Sequence, residues 1–561
     1  MSPITSIRRR ISRLTAAALA VAVVTAACGV DSGITTIDAS PTPTSPPSTG
    51  PASPTPTSAA PDDPSTDTTP DDAPATTEAP TPTTPPSTAL ASTLPPIVEP
   101  VLNADIDLAT VVDIDESKPV RPYDDFLAVA ITDINRWWNE QYPAVYGVPF
   151  EPLAGGVYAG YPERESALPG CGTAESTSYD ELQQFVAFYC EFGDFMVYDD
   201  ESTDILAPLA DEFGPAVMGV VMAHEYGHAI QERNGGLDRP LPTIITEQQA
   251  DCFAGAWAGQ AYDGASPLLR LGDRDIRAGL IAMLSVRDPV GTDQFVPGGH
   301  GSAFDRVGAF QVGFLEGPAR CAQLLDEPLP LMPNAFQPGS LDQVLGGNAP
   351  YDCEELRDLG ASEQTIADCT PAPTFLADDL NNFWATYTTS GFPALSVLPV
   401  DDLANGPCSD GTVLADEIIL CDGTVVYHEP DVLDLYREFG DFTLGYFYGV
   451  AWAEAAQQRA DSTLVGEPRA LLRDCYTGAW VRDITPDEFG QTPRQADLDG
   501  DGEPDSTVSS SPGDLDEAIR MAILVGDNGA NVDRVGSPFE KIAAFRVGVL
   551  GGLDACNAVL G

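Results

Sequence analysis

The sequence predicts a helix-rich α+β fold with a small sheet, laid down twice along one chain. Two observations predict the duplication and the class, and a third fixes where folding begins. Four blocks recur in the same order. FLAVAITDINRWWNEQYP (126–143) resembles FLADDLNNFWATYTTSGFP (375–393), and 212–233 aligns without gaps on 438–459. DCFAGAW (251–257) matches DCYTGAW (474–480), and 301–321 matches 536–556. Ordered recurrence of this kind is the mark of a repeated structural unit. Within the blocks, stretches of helical period alternate with short apolar runs of strand length. Residues 35–96, by contrast, are dominated by Pro, Thr, Ser and Ala and carry no apolar periodicity, so they can build no core.

Each copy opens with a helix, 126–142 and 375–387. Short strands follow in the first copy within 147–160 and 186–199. Residues 215–233 contain no proline after Pro215 and are closed by Gly235-Gly236, which predicts a helix and its stop. Thr246 and Gln249 have capping-box spacing, so the next helix is expected to begin at Glu247. Residues 275–287 and 302–324 read as further amphipathic helices. The expected organisation is a first domain at 99–330, a Pro/Asp-rich connection at 331–374 and a second copy at 375–561.

The N-terminus reads as an export signal. Arg8, Arg9, Arg10 and Arg13 precede an apolar run from Leu14 to Ala27, too short to span a membrane as a helix. The run ends in Thr25-Ala26-Ala27-Cys28, which resembles a lipoprotein box. Residues 1–28 are therefore expected to be signal and lipidation site, with Cys28 as the lipidated residue; the alternative is a plain secretory signal. Residues 29–98 would form a disordered tether with ends about 45 Å apart. Of eleven cysteines, setting Cys28 aside leaves an even number, as expected for disulfides outside the cytoplasm. The net charge of −58, with Lys only at 118 and 541, excludes a nucleic-acid-binding role, because phosphate contacts need a basic face. It also leaves the N-terminal lipid as the expected membrane contact.

The chemistry centres on His224-Glu225-Tyr226-Gly227-His228. On a helix, His224 and His228 share a face and can hold one Zn²⁺. Glu225 beside them suits the general base of a metalloprotease. Glu247, on the following helix, supplies a third ligand, and Asp251 lies one turn further on the same face. Two histidines and one carboxylate leave a coordination position open, as catalytic zinc sites do. Asp251 can fix a ligating histidine by taking its other N–H. Tyr226 reads as packing and His428 as surface.

Taken together, His224-Glu225-x-x-His228, Glu247-x-x-Ala250-Asp251-Cys252-Phe253-Ala254-Gly255 and His300-Gly301-Ser302 before Arg306 resemble the bacterial neutral zinc metallopeptidase family, over about residues 120–325. The resemblance implies a zincin-like fold and hydrolysis of peptide bonds in a peptide or protein substrate. In that reading His300 stabilises the oxyanion, and Arg306 does the same or braces Asp251.

The second copy lacks this chemistry. Across the alignment His224 faces Val450, Glu225 faces Ala451, His228 faces Glu454, Glu247 faces Ala470 and His300 faces Val535. The packing residues persist, as in Trp257 and Trp480. A catalytically inactive copy is expected, which could support the first, cover its cleft or bind a protein partner. A silent binding or scaffold lipoprotein is the alternative for the whole chain. The repeat also pairs the cysteines: Cys252–Cys321 with Cys475–Cys556, Cys171–Cys190 with Cys408–Cys421, leaving Cys353–Cys369. Asp497, Asp499, Asp501 and Asp505, around Gly502, resemble a calcium loop whose terminal ligand position holds Val508.

Overall fold

The first helix, α1 (Asp124–Tyr146), places Asp124 and Asp125 in its opening turn, where the positive end of the helix favours them. It closes at Gly147, whose φ of 76° supplies the left-handed turn that other residues resist. Phe126, Leu127, Ile134, Trp137 and Trp138 of α1 are buried against the rest of the core. The computed structural model describes residues 100–172, 176–182, 186–201, 205–336, 345–388, 391–403, 411–415, 417–486, 508–526 and 536–560. The expected signal with Cys28, the tether, Cys408 and the aspartates 497, 499, 501 and 505 (Asp497, Asp499, Asp501, Asp505) lie outside these residues.

After α1 come β1 (Gly156–Gly160), β2 (Ala187–Cys190) and β3 (Phe195–Asp199), ordered β1-β3-β2, with β1 parallel and β2 antiparallel to β3. Five helices follow: α2 (Leu206–Phe213), α3 (Ala216–Asn234), α4 (Thr243–Tyr262), α5 (Asp273–Ser285) and α6 (Ala303–Glu316). The second half has α7 (Ala372–Tyr387) and a sheet of β4 (Ser396–Val400), β5 (Thr412–Ala415), β6 (Ile418–Cys421) and β7 (Thr424–His428) in the order β4-β7-β6-β5. There β4 runs parallel to β7 and β6 runs antiparallel to it. Helices α8 (Glu429–Phe439), α9 (Phe442–Arg459), α10 (Gly466–Ile484), α11 (Asp514–Val525) and α12 (Pro538–Val559) complete it. The fold is helix-rich α+β with small mixed sheets, and one apolar core runs through both halves.

Two expectations need correction, and one is narrowed. The helix carrying Glu247 begins at Thr243, a turn earlier than expected. Thr246 is inside it and its hydroxyl donates back to the Thr243 carbonyl at 2.7 Å, so no capping box forms. Within 147–160 the sheet strand covers only 156–160. The helix expected over 302–324 stops at Gly317, whose φ of 76° ends it before a single further turn at Pro318–Cys321.

Glycine sets the closest helix contacts. A Cβ on Gly255 of α4 would lie 1.9 Å from the Phe310 carbonyl oxygen of α6, and one on Gly313 of α6 would lie 1.7 Å from that of Cys252. The Cys252–Cys321 disulfide ties the same pair of segments together. In the second half, Gly478 stands 2.0 Å by the same measure from the Phe545 oxygen and Gly548 1.9 Å from the Cys475 oxygen, beside Cys475–Cys556. Each half also buries an indole on an aspartate: Trp257 donates to Asp133 at 3.0 Å and Trp480 to Asp379 at 2.7 Å. Cys171–Cys190 and Cys353–Cys369 are formed too, and Cys421 is disulfide-bonded.

The halves meet along α6 and α12. Gln311 donates to the Phe539 carbonyl at 2.9 Å and Arg546 to that of Phe304 at 2.5 Å. Near this contact burial, reinforced by Asp516, pushes the Asp305 carboxyl up to about 7 against Ser302, the Met332 N–H and Arg546.

Two outcomes follow for stability. Gly255→Ala should cost more than about 2 kcal/mol, since backbone rather than a side-chain tip must yield, and thermal melting would measure it. Asp305 binds its proton more tightly folded than at its ordinary value of 3.8, so its contribution is full below that value and is lost as pH rises through about 7. Asp305→Asn should therefore gain more stability at pH 8 than at pH 4, relative to wild type, in urea titrations.

Candidate metal centre

Helix α3 is buried on every side from Ala216 to Gln231, so its polar residues can persist only if each is satisfied. It closes at Gly235, with φ 72°. His224 and His228 stand one turn apart with ring centroids 4.8 Å from each other. Gly227 lies between them, and a Cβ there would lie 2.8 Å from the Cα of Ala250. That missing side chain lets α4 press against α3 and brings Glu247 to the histidines. His224 Nε2 lies 3.2 Å from Glu247 Oε2, and His228 Nε2 lies 3.4 Å from Glu247 Oε1.

The opposite ring nitrogens are anchored. His224 Nδ1 meets Asp251 Oδ1 at 2.7 Å, and a carboxylate there can only accept, so Nδ1 carries the proton. His228 Nδ1 meets Gln231 Oε1 at 2.9 Å, while the Gln231 amide nitrogen donates to the Thr246 carbonyl at 2.7 Å. That second bond fixes which end of the amide faces His228. Both imidazoles therefore turn Nε2 toward Glu247.

Arg306, from the first turns of α6, forks onto Asp251 through Nε at 2.9 Å and Nη2 at 2.8 Å, and its Nη1 donates to the Val286 carbonyl at 2.6 Å. Its side chain is 2 % exposed, which seats it under Asp251. His300 sits at the end of the loop that precedes α6. Asp288 accepts from the amides of His300 and Gly301, both at 2.8 Å, and faces the His300 ring at 3.4 Å. Glu225 is buried on α3. Tyr226 donates to Asn135 at 3.0 Å and packs near Phe150. His428 ends β7, with Nδ1 2.8 Å from Asp431.

Charge follows from this geometry. Burial would depress His224, but Asp251 and Glu247 outweigh it and raise the imidazole to about 10. Burial also opposes the charge on Glu247, yet His228, His300 and His224 hold its carboxyl well below the usual range. Asp251 is held down by Arg306 and His224, and Asp288 by His300 and the Gly301 amide, each against its own burial.

His224 Nε2, His228 Nε2 and Glu247 Oε2 are buried with no hydrogen-bond partner, within 4.8 Å of one another. Orphaned acceptors of this kind are costly unless something positive lies among them. Two nitrogens and one carboxylate oxygen are donors that Zn²⁺ takes, so the residues present fit that ion. Among the described residues a second group could also hold a metal ion: Asp441, Asp514 and Glu517, all buried. Its all-oxygen set suits a harder cation. Sequence reasoning did not find it, since its members come from the start of α9 and from α11.

Gln231 and Asp288 were missed as well. Gln231 was findable, three residues after His228 on the same helix face. Asp288 depends on a loop closure that has no sequence signature.

In the second half Glu454, aligned with His228, is held by Arg469 at 2.7 Å and Arg473 at 3.3 Å. Asp474, aligned with Asp251, is held by Lys541 at 2.7 Å and Tyr446 at 2.6 Å.

The chain is similar to uncharacterized proteins of Mycobacterium tuberculosis (Rv2575) and Mycobacterium bovis (Mb2605). Each is 33% identical over 172 residues, covering 26% of this chain and 55% of the relative. The match thus spans little more than half the length of those proteins. No family model matches the chain, and no solved structure matches it.

The Gln231 anchor gives a direct test. Gln231→Leu should weaken Zn²⁺ binding by about 10- to 100-fold, as removal of a partner behind a ligating histidine does. Competition with a chromophoric chelator would measure it.

Proposed function

We propose that this chain is a zinc-dependent peptidase of the neutral zinc metallopeptidase family, exported and held at the outer face of the cell membrane through Cys28. The observation that carries the reading is the convergence of His224 Nε2, His228 Nε2 and Glu247, each histidine pinned from behind. Zn²⁺, when bound, supplies Lewis-acid polarisation of the scissile carbonyl and lowers the pKa of water. Glu225 takes the proton of the attacking water and delivers it to the leaving amine. His300, positioned by Asp288, donates to the developing oxyanion. Asp251 and Arg306 hold His224 in the tautomer that offers Nε2.

The same reading covers the rest of the chain. Residues 99–330 form the peptidase domain, 331–374 the connection and 375–561 an inactive copy. Matched glycine crossings, disulfides and indole–aspartate bonds support the duplication. So does the reciprocity of the contact between halves, where aligned Gln311 and Arg546 each reach the aligned Phe of the other half. The disulfides fit an oxidising compartment outside the cytoplasm. The partner is a peptide or protein substrate, with no nucleic acid.

A silent scaffold is the second reading, favoured by the second half. That half keeps the helices while Arg469 and Arg473 meet Glu454 in place of a metal site. One experiment separates the two. The wild-type chain, incubated with a mixed peptide library, should yield products that a chelator abolishes. Glu225→Gln should lower turnover by about 10²- to 10⁴-fold while still binding one Zn²⁺ per chain by elemental analysis. Wild-type protein that binds zinc and yields no products would favour the scaffold.

A further inference from the structure

We infer that the second half of the chain positions the candidate metal centre, with Asp516 and Arg546 as the residues that do so. The inference rests on the metal-site reading of His224, His228 and Glu247, and concerns what holds that site in register.

The segment 286–306 carries the supports of the centre. The Val286 carbonyl takes one arm of Arg306, Asp288 holds the His300 and Gly301 amides, and Arg306 itself forks onto Asp251. Asp251 in turn fixes His224. Everything behind His224 therefore depends on where this segment lies.

The second half grips the segment at both ends of its loop. Asp516, on α11, takes Arg287 Nε at 2.6 Å through one oxygen and the Phe304 amide at 3.3 Å through the other. Phe304 lies in the first turn of α6, where amide groups have no partner inside the helix. One of these donors is thus satisfied by a carboxylate from the other half, whose negative charge also suits the helix start. Arg546, on α12, donates to the Phe304 carbonyl and lies 4.3 Å over the Phe304 ring. It fills the space beside Gly308, where a Cβ would lie 2.0 Å from its guanidinium. Asp516, Arg546 and Phe304 are all buried.

A buried charge pair tolerates little displacement, because moving one partner strands the other without water. The Arg287–Asp516 pair therefore fixes the loop entry, and Phe304, held at both its amide and its carbonyl, fixes the start of α6. Arg306 lies two residues beyond Phe304. A small slide of α6 would separate its two nitrogens from Asp251 and release the imidazole behind the donor atoms. Asp516 and Arg546 touch no ligand; they are positioning residues acting through Arg287, Phe304 and Arg306.

The test uses the full chain with Co²⁺ as probe, since its visible absorption reports coordination geometry and needs no substrate. Wild type should bind one Co²⁺. Asp516→Ala should bind it about 10-fold more weakly, the scale seen when support behind a ligand is lost, and with altered band positions. Asp516→Asn keeps the size and the acceptor for the Phe304 amide but loses the charge facing Arg287. It should fall between the two and serves as the deciding variant if Asp516→Ala does not fold. Thermal melting run alongside separates stability from positioning. A lower melting temperature with unchanged Co²⁺ affinity and spectrum would overturn the inference, leaving Asp516 as packing only. No Co²⁺ binding by wild type would overturn the metal-site reading itself, and this inference with it.

Discussion

Burying charge inside a helical core is what most constrains this molecule. His224, Glu247, Asp251 and Arg306 are each less than 4 % exposed, and none could stay there without a partner of opposite character. The helices are arranged to supply those partners. Gly227 removes a side chain so that α4 can approach α3, and α6 is pressed onto α4 by glycines at 255 and 313 (Gly255, Gly313) until Arg306 reaches Asp251. The basic residues are deployed in the same way elsewhere. In a chain with net charge −58, both lysines are paired with aspartates: Lys118 with Asp124 and Asp200, Lys541 with Asp474.

What the sequence disclosed is what local geometry determines. His224 and His228 had to share a face because four residues make one helical turn, and Glu247 and Asp251 share a face for the same reason. The helical class, the glycine stop at 235 (Gly235) and the cysteine pairs at 171–190, 252–321, 353–369 and 475–556 could likewise be read from periodicity, turn chemistry and repetition. What stayed hidden depends on tertiary contact. Thr246 looked like a cap because its spacing from Gln249 is right, but the helix starts back at Thr243, with Ile244 and Ile245 of its first turn buried in a cluster with Leu325. Asp288 gains its meaning only when the loop returns to His300. The contact of Asp516 with Arg287 joins residues more than two hundred positions apart, and no local pattern encodes it.

The contact between halves also gives the second half, which lacks the paired histidines, a structural part to play. α6 and α12 meet by exchanging like interactions, Gln311 to Phe539 and Arg546 to Phe304. A self-complementary surface of this kind needs both of its sides. Losing the second half would expose the buried face of α6, including Phe304, and would leave Arg287 and the Phe304 amide without the carboxylate that now satisfies them. On the proposed reading, a half that supplies structure rather than chemistry is free to vary at the positions aligned with the metal ligands but not at Asp516 and Arg546.

The two halves satisfy the same electrostatic demand by different means. In the second, the buried carboxylates Glu454 and Asp474 are met by three side-chain cations: Arg469, Arg473 and Lys541. In the first, Glu225, Glu247 and Asp251 are all buried, and Arg306 is the guanidinium bonded among them. At the centre of the first half, His224 and His228 face Glu247, where protons on the imidazoles or a bound cation would supply the positive charge. The rise of His224 to about 10 is the first of these answers, the centre drawing a proton to itself. Yet Nδ1 of each histidine is already engaged with Asp251 or Gln231, so what remains is a pair of Nε2 atoms converging on one carboxylate. A proton on one Nε2 serves a single pair of atoms, whereas a divalent ion serves all three donors at once. In the second half the positions aligned with the three donors hold Val450, Glu454 and Ala470, and Arg469 and Arg473 already supply the positive charge that Glu454 requires.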